Sequence, residues 1–94
     1  MTSTADLLRR ARALIDTPEK WSQVDTKIGD QRCMFQALED AGAGFGREPA
    51  YVALANAAGF VRGWAEAGVW QAGHTHADVL TAFDRAIAAA EPTP

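Results

Sequence analysis

The sequence has one cysteine, no long apolar run and no concentrated positive charge. A single thiol, Cys33, excludes an intrachain disulfide and fits a reducing compartment. No apolar stretch approaches the roughly 20 residues that a membrane-spanning helix needs, so no membrane association is expected. The formal net charge is −3 and the positive side chains form no block, which argues against nucleic-acid binding.

Alanine dominates what is present. Hydrophobic residues make up 48% of the 94 residues, but 20 of these residues are alanine. Alanine favours helices because it loses no side-chain entropy there, and its small size suits closely packed helices rather than a deep ligand cavity. We therefore predict one helical domain over residues 1–94 that holds no cofactor. The N-terminal MTSTADLLRR lacks the features of a secretory signal, so we expect a cytoplasmic protein.

The first and last helices have the clearest signals. Ser3 and Asp6 have the spacing of a capping box, and apolar residues follow at helical intervals, which predicts a helix over about 4–16. The final helix is predicted over about 76–90 because its apolar residues fill one stripe about 120° wide. That stripe consists of Val79, Leu80, Phe83, Ala86, Ile87 and Ala90.

The middle of the chain is less regular. Residues 22–30 alternate polar and β-branched side chains before a Gly-Asp turn, which favours a short extended segment or hairpin. The fold class predicted is a mainly all-α, orthogonal bundle of four to five helices. Its remaining elements are a short turn at Thr17–Trp21, a helix over about 31–41 capped by Asp30, a helix opened by Pro49 and interrupted at Gly59, a helix over about 60–67, and a loop over 68–73 that carries Trp70.

The stretch GHTHADVL, residues 73–80, has two interpretations. Thr75 and Asp78 have the spacing of a second capping box, which uses both residues and leaves the histidines as neighbours of a helix start. Alternatively, His74 and His76 form half of a metal site. Zinc needs three or four ligands, however, and the nearest further soft donor, Cys33, falls on another helix. We therefore favour the helix start.

Several segments resemble a domain-of-unknown-function family of small proteins from actinobacteria and their phages. The similarity begins with an L-L-x-x-A-x-x-L-I helix at residues 7–15 and continues with Trp21 and a Cys-x-x-x-A-L segment at residues 33–38. It is most specific in the last helix, where a Thr-His-x-Asp-Val-Leu start at residues 75–80 precedes Phe-Asp-x-Ala-Ile at residues 83–87. The resemblance implies a small helical fold, no assigned activity, and a phage-encoded or accessory protein.

Three positions in two segments depart from that family pattern. Trp64-Ala65-Glu66 stands where the family usually has Trp-Asn-Asp, and Gln36 stands where the family has a glycine. If the Asn-Asp pair holds a function or fixes a turn in relatives, this chain has replaced it.

Three functions compete. The favoured one is a non-enzymatic protein-interaction module in which Phe60, Trp64 and Trp70 contact a partner, because aromatic residues often anchor interfaces. The partner is a bacterial host protein or a second copy of the chain, as a homodimer. The alternatives are a metal-binding protein or metal-dependent hydrolase built on the two histidines with Asp78 and Cys33, and a DNA-binding protein that uses Arg9 and Arg12 on the first helix.

Overall fold

A computed structural model of the chain describes residues 3–22, 27–28, 31–42, 49–60 and 69–91. Within these ranges the chain is mainly helical, which confirms the predicted fold class. The elements in order are α1 (Thr4–Leu14), a 3₁₀ turn (Pro18–Lys20), β1 (Lys27–Ile28), β2 (Gln31–Arg32), α2 (Met34–Asp40), α3 (Pro49–Ala58), the helical residues 69–72, labelled α4, and α5 (His76–Ala90).

Helices α1 and α5 pack against each other, and both also contact α3. Ser3 caps α1, because its hydroxyl accepts the Asp6 amide N–H at 3.1 Å. The Asp6 carboxylate pairs with Arg9 at 3.2 Å. Helix α1 ends at Leu14 rather than at residue 16, and the amide of its C-cap, Ile15, donates to the carbonyl of Arg12 at 3.1 Å.

The extended segment forms where it was expected but reaches further along the chain. Lys27–Ile28 and Gln31–Arg32 pair as antiparallel strands, and Arg32 also bridges Trp21 in parallel. The prediction of a helix over 31–41 with Asp30 as its cap was therefore wrong at its start. Backbone pairing holds Gln31 and Arg32 in strand geometry, so α2 begins at Met34 and Cys33 takes the capping position.

Helix α3 begins at Pro49, as predicted, and stops at Gly59. Gly59 adopts a φ of +91°, a conformation that side chains with a Cβ rarely take. The amides of Gly59 and Phe60 both donate to the carbonyl of Ala55, at 2.8 and 3.1 Å, which closes the helix end. The interruption at Gly59 is therefore present. Beyond Phe60, the predicted helix over 60–67 lies outside the described residues, as does Trp64.

The core lies where α1, α2, α3 and α5 meet. Phe35 is 1% exposed and packs edge-on against Tyr51 with ring centroids 4.9 Å apart. Leu80 and Ala90, assigned to the inward stripe of α5, are only half-buried, whereas Ala82 is buried. The largest fully buried side chains are Tyr51, Phe35, Phe83, Leu8, Ile15, Met34, Leu38, Leu54, Gln71 and Val79.

None of the described helices is long and apolar enough to cross a membrane.

Candidate interaction surface

The start of α5 is fixed by a reciprocal capping box. The Thr75 hydroxyl accepts the Asp78 amide N–H at 3.2 Å, and the Asp78 carboxylate accepts the Thr75 amide N–H at 3.0 Å. The backbone hydrogen bond from Thr75 is the main reason that the pKa of Asp78 lies below its ordinary value. The carboxylate is therefore held as an anion at the positive end of the helix.

The two histidines beside this cap bind different carbonyl groups. His74 Nδ1 lies 2.6 Å from the carbonyl oxygen of Trp70, whereas His76 Nε2 lies 2.6 Å from the carbonyl oxygen of Ile15 at the end of α1. His76 thereby links the start of α5 to the end of α1. Its ring also packs against the ring of Trp21, with centroids 5.9 Å apart. The two imidazoles are therefore engaged separately, His74 in a local contact with Trp70 and His76 in a long-range contact with the end of α1.

Trp70 belongs to a helical segment rather than to a loop. The loop prediction for 68–73 was wrong over residues 69–72, which are helical. The Trp70 ring is half-buried and stacks on His74, with centroids 4.0 Å apart and planes 12° apart. Its other neighbour is Phe60, whose ring centroid lies 5.9 Å away. Both predicted contact residues that the structure describes therefore pack side by side, each partly exposed at the edge of the core.

Gln71 fixes α4 to the rest of the molecule, and no sequence signal pointed to it. Its side chain is 1% exposed. The carbonyl oxygen Oε1 accepts from the indole N–H of Trp21 and from the backbone N–H of Met34, both at 2.9 Å. These two donors lie 50 and 37 residues away in sequence, so local patterning could not reveal the contact.

Two neighbouring open pockets lie along α3 and α5, one near the N-terminal end of α3 and the other near the start of α5. We call the two together the α3–α5 cleft. Its larger, apolar part has a volume of about 770 Å³ and its smaller, polar part about 230 Å³. Ala57 and Arg85 line both parts, so the two parts adjoin at these residues. The apolar part is also lined by Thr4, Pro49, Val52, Ala53, Asn56, Ala89 and Ala90, and the polar part by Ala58, Trp70, His74, Asp78, Thr81 and Ala82.

Charge is unevenly distributed in this cleft. Arg85 is exposed at the junction of its two parts, and no carboxylate lies within ion-pairing distance of it in the described structure. Asp78 lies two helical turns earlier on the same side of α5. Four other described cations do pair with acidic side chains, namely Arg9 with Asp6 and Glu91, Arg12 with Asp84, Lys20 with Asp16, and Arg32 with Asp40.

Comparison with known proteins gives a family but no activity. A model of the family of unknown function DUF6197 matches residues 1–89. The chain belongs to this family. No curated protein and no solved structure matches it. The predicted membership of a family of unknown function is thereby confirmed, and the actinobacterial or phage origin stays a prediction.

In this DUF6197 chain, the histidines proposed for metal binding and the arginines proposed for DNA binding already contact other groups of the protein. Arg9 and Arg12, the candidate DNA contacts, pair with acids on α1 and α5 and at the end of α5, at 2.8 to 3.2 Å. Within the described residues, no group of three or more His, Cys, Asp or Glu side chains is placed to hold a metal ion.

Cys33, the only thiol, is packed in the core of the same DUF6197 chain. It is 5% exposed, and its sulfur accepts the Gln36 amide N–H at 3.3 Å as the cap of α2. Burial raises the pKa of the Cys33 thiol above its ordinary value, and hydrogen bonds from Gln36 and Phe35 offset part of that rise. A buried, protonated thiol packs as a small hydrophobe and is a poor nucleophile or metal ligand.

Proposed function

We propose that this protein is a small, non-enzymatic interaction module that binds a protein partner in the α3–α5 cleft. The observation that carries the proposal is the cleft itself, which is about 770 Å³ in its apolar part and is lined there mostly by alanine, proline and valine. Alanine side chains leave backbone close to the surface, so a partner's larger side chains can enter between the two helices.

The dimensions of the cleft favour a helical or short extended segment of the partner. Residues that line it along α5 run from Asp78 to Ala90, about 18 Å at 1.5 Å per residue. That length accommodates roughly three turns of helix. The half-buried ring of Trp70 closes the polar part, in the position where interfaces place aromatic anchors.

The partner would carry both apolar side chains and charge. Apolar side chains would fill the space beside Ala53 and Ala89, and a carboxylate would pair with Arg85. The resemblance to proteins of actinobacteria and their phages adds a host protein as the class of partner to test. In that setting the protein would act as an accessory factor, in the cytoplasm, by contact alone.

A pair of adjacent alanines provides a sharp test. Ala88 and Ala89 are both exposed on α5, but only Ala89 lines the cleft. A photo-reactive phenylalanine analogue placed at position 89 should crosslink a protein from the native host, and the same analogue at position 88 should not. The captured protein would then be purified and its affinity measured by calorimetry.

Filling the cleft should abolish that binding. Ala89→Trp is expected to weaken the affinity for the purified partner by at least about tenfold, since a bulky ring occupies the space that the partner needs. Ala88→Trp is the matched control and should bind like the wild type. Equal binding by all three proteins would refute the cleft as the interaction site.

A further inference from the structure

We propose that the α3–α5 cleft also binds a second copy of this chain, with the α5 helices of the two copies antiparallel across a twofold axis near Thr81. This inference rests on the proposed function, because it names one partner for the same surface. It begins from the charges on the cleft side of α5. Asp78 and Arg85 are exposed, lie seven residues apart and line the same polar part of the cleft.

A surface with this charge order is complementary to itself. A partner that carries only a carboxylate would meet Arg85 but be repelled by Asp78. An antiparallel copy of α5 presents the opposite order, so each Arg85 faces the Asp78 of the other copy and two equivalent ion pairs form. Such reciprocity is the rule in twofold interfaces, where residue i meets j and j meets i.

The centre of the interface can be placed from the same spacing. The midpoint of Asp78 and Arg85 falls between Thr81 and Ala82. Thr81 is exposed and lines the polar part of the cleft, whereas Ala82 is buried. Small side chains at this point let two helices approach to about 8–10 Å between axes.

The area available makes this dimer a weak one. The exposed side of the 15-residue helix α5 is about 22 Å long and about 10 Å wide. Interfaces that bury much less than about 800 Å² per partner are weak or transient. The dimer would therefore exchange with monomer and leave the cleft available to another protein at low concentration.

Sedimentation provides the first test. Wild-type protein, followed up to about 500 µM because small interfaces are weak, should show a concentration-dependent dimer that dissociates as NaCl rises. Arg85→Glu should raise the dimer Kd at least about tenfold, since like charges then face each other twice. Arg10→Glu makes the same change in net charge at an exposed position of α1 and should leave the Kd unchanged.

Disulfide trapping tests the arrangement. Thr81→Cys places a thiol beside the axis, so mild oxidation should give a covalent dimer, and adding Arg85→Glu should reduce its yield. Ala77→Cys is the matched control on the same helix. Its two copies would lie about 13 Å apart along the axis, beyond the reach of a disulfide. Wild-type protein, with only the buried Cys33, should not crosslink.

The outcomes separate the two proposals. A strictly monomeric protein at the highest concentration, equal effects of Arg85→Glu and Arg10→Glu, or equal trapping through positions 77 and 81 would each overturn the dimer. If the protein is monomeric but Ala89→Trp still abolishes binding to a captured partner, the interaction module stands without the dimer. If the dimer forms and no other protein crosslinks at position 89, the host-partner proposal fails and the dimer stands.

Discussion

At the scale of single residues, Gln71 has a larger structural role than its chemistry suggests. One buried carbonyl oxygen receives both the Trp21 indole and the Met34 backbone, and so links α4, α2 and the segment after the 3₁₀ turn. A single glutamine between Trp70 and Ala72 gives no pattern of its own. Its role depends on donors that only the fold brings near, which is why sequence analysis missed it.

Replacing Gln71 should therefore destabilise the protein strongly. Gln71→Leu keeps the approximate volume but leaves two N–H donors without an acceptor, and we expect a loss of about 2–3 kcal/mol in the free energy of unfolding. Gln36→Leu is the control, because Gln36 is half-buried and its amide reaches only Asp40 at the surface. It should cost less than about 1 kcal/mol. Urea denaturation would measure both, and equal losses would contradict the role of Gln71.

Cys33 should react only when the protein opens. Because burial raises the pKa of its thiol, little thiolate forms near neutral pH, and the sulfur is also shielded from reagents. We expect an aromatic disulfide reagent at about pH 8 to modify the folded protein far more slowly than the urea-unfolded chain. The absorbance of the released thiolate follows the reaction. Rapid modification without denaturant would show that the thiol is accessible in the folded state.

The lowered pKa of Asp78 predicts that the protein becomes less stable to unfolding as the pH falls. Its pKa is lowered in the folded protein, so the unfolded chain takes up the proton more readily and acid favours unfolding. The contribution of Asp78 to stability is therefore present above about pH 4 and is lost as the pH falls through the lower, folded-state pKa. The difference in urea midpoint between wild type and Asp78→Asn should shrink as the pH is lowered from about 6 towards 3. A difference that does not change with pH would contradict this assignment.

At the scale of elements, the agreement with the sequence depends on how local each signal is. Helix α5 was predicted with its observed ends, because its capping box and its apolar stripe are both contained in residues 75–90. The start of α2 was misplaced because strand pairing with Lys27–Ile28 decides the conformation of Gln31 and Arg32. Residues 69–72 were assigned to a loop because Gly68 and Gly73 flank them in the sequence.

A comparison of two glycines, Gly59 at the end of α3 and Gly73 after α4, tests the importance of backbone geometry. Gly59 has a φ of +91° with open space around its missing Cβ, so Gly59→Ala should cost about 1 kcal/mol through backbone strain alone. Gly73 has no such φ, and an added Cβ would make only an ordinary contact with the Trp70 carbonyl at 3.8 Å. Gly73→Ala should therefore be neutral or stabilise by up to about 1 kcal/mol. Thermal melts of both variants would decide, and equal effects would contradict the strain at Gly59.

At the scale of the whole molecule, the candidate surface was only partly predictable. Phe60 and Trp70 were selected because aromatic residues often anchor interfaces, and the structure places the two rings side by side. The alanines that line the cleft were read from sequence only as helix formers and core residues. Whether an alanine faces a neighbouring helix or an open groove depends on how α3 and α5 cross, which no local pattern specifies.

The distribution of charge leads to a prediction about nucleic acids. The α1 cations Arg9 and Arg12 pair with Asp6, Glu91 and Asp84, and the net charge is −3, so no extended positive surface is available to phosphates on that face. The protein should therefore elute without retention from heparin at about 50 mM salt. Asp84→Asn, which removes one acid beside Arg12, should not create retention either, because phosphate binding needs several cations together. Retention of the wild-type protein that falls steeply with rising salt would instead support the DNA-binding alternative, since release of counterions gives that dependence.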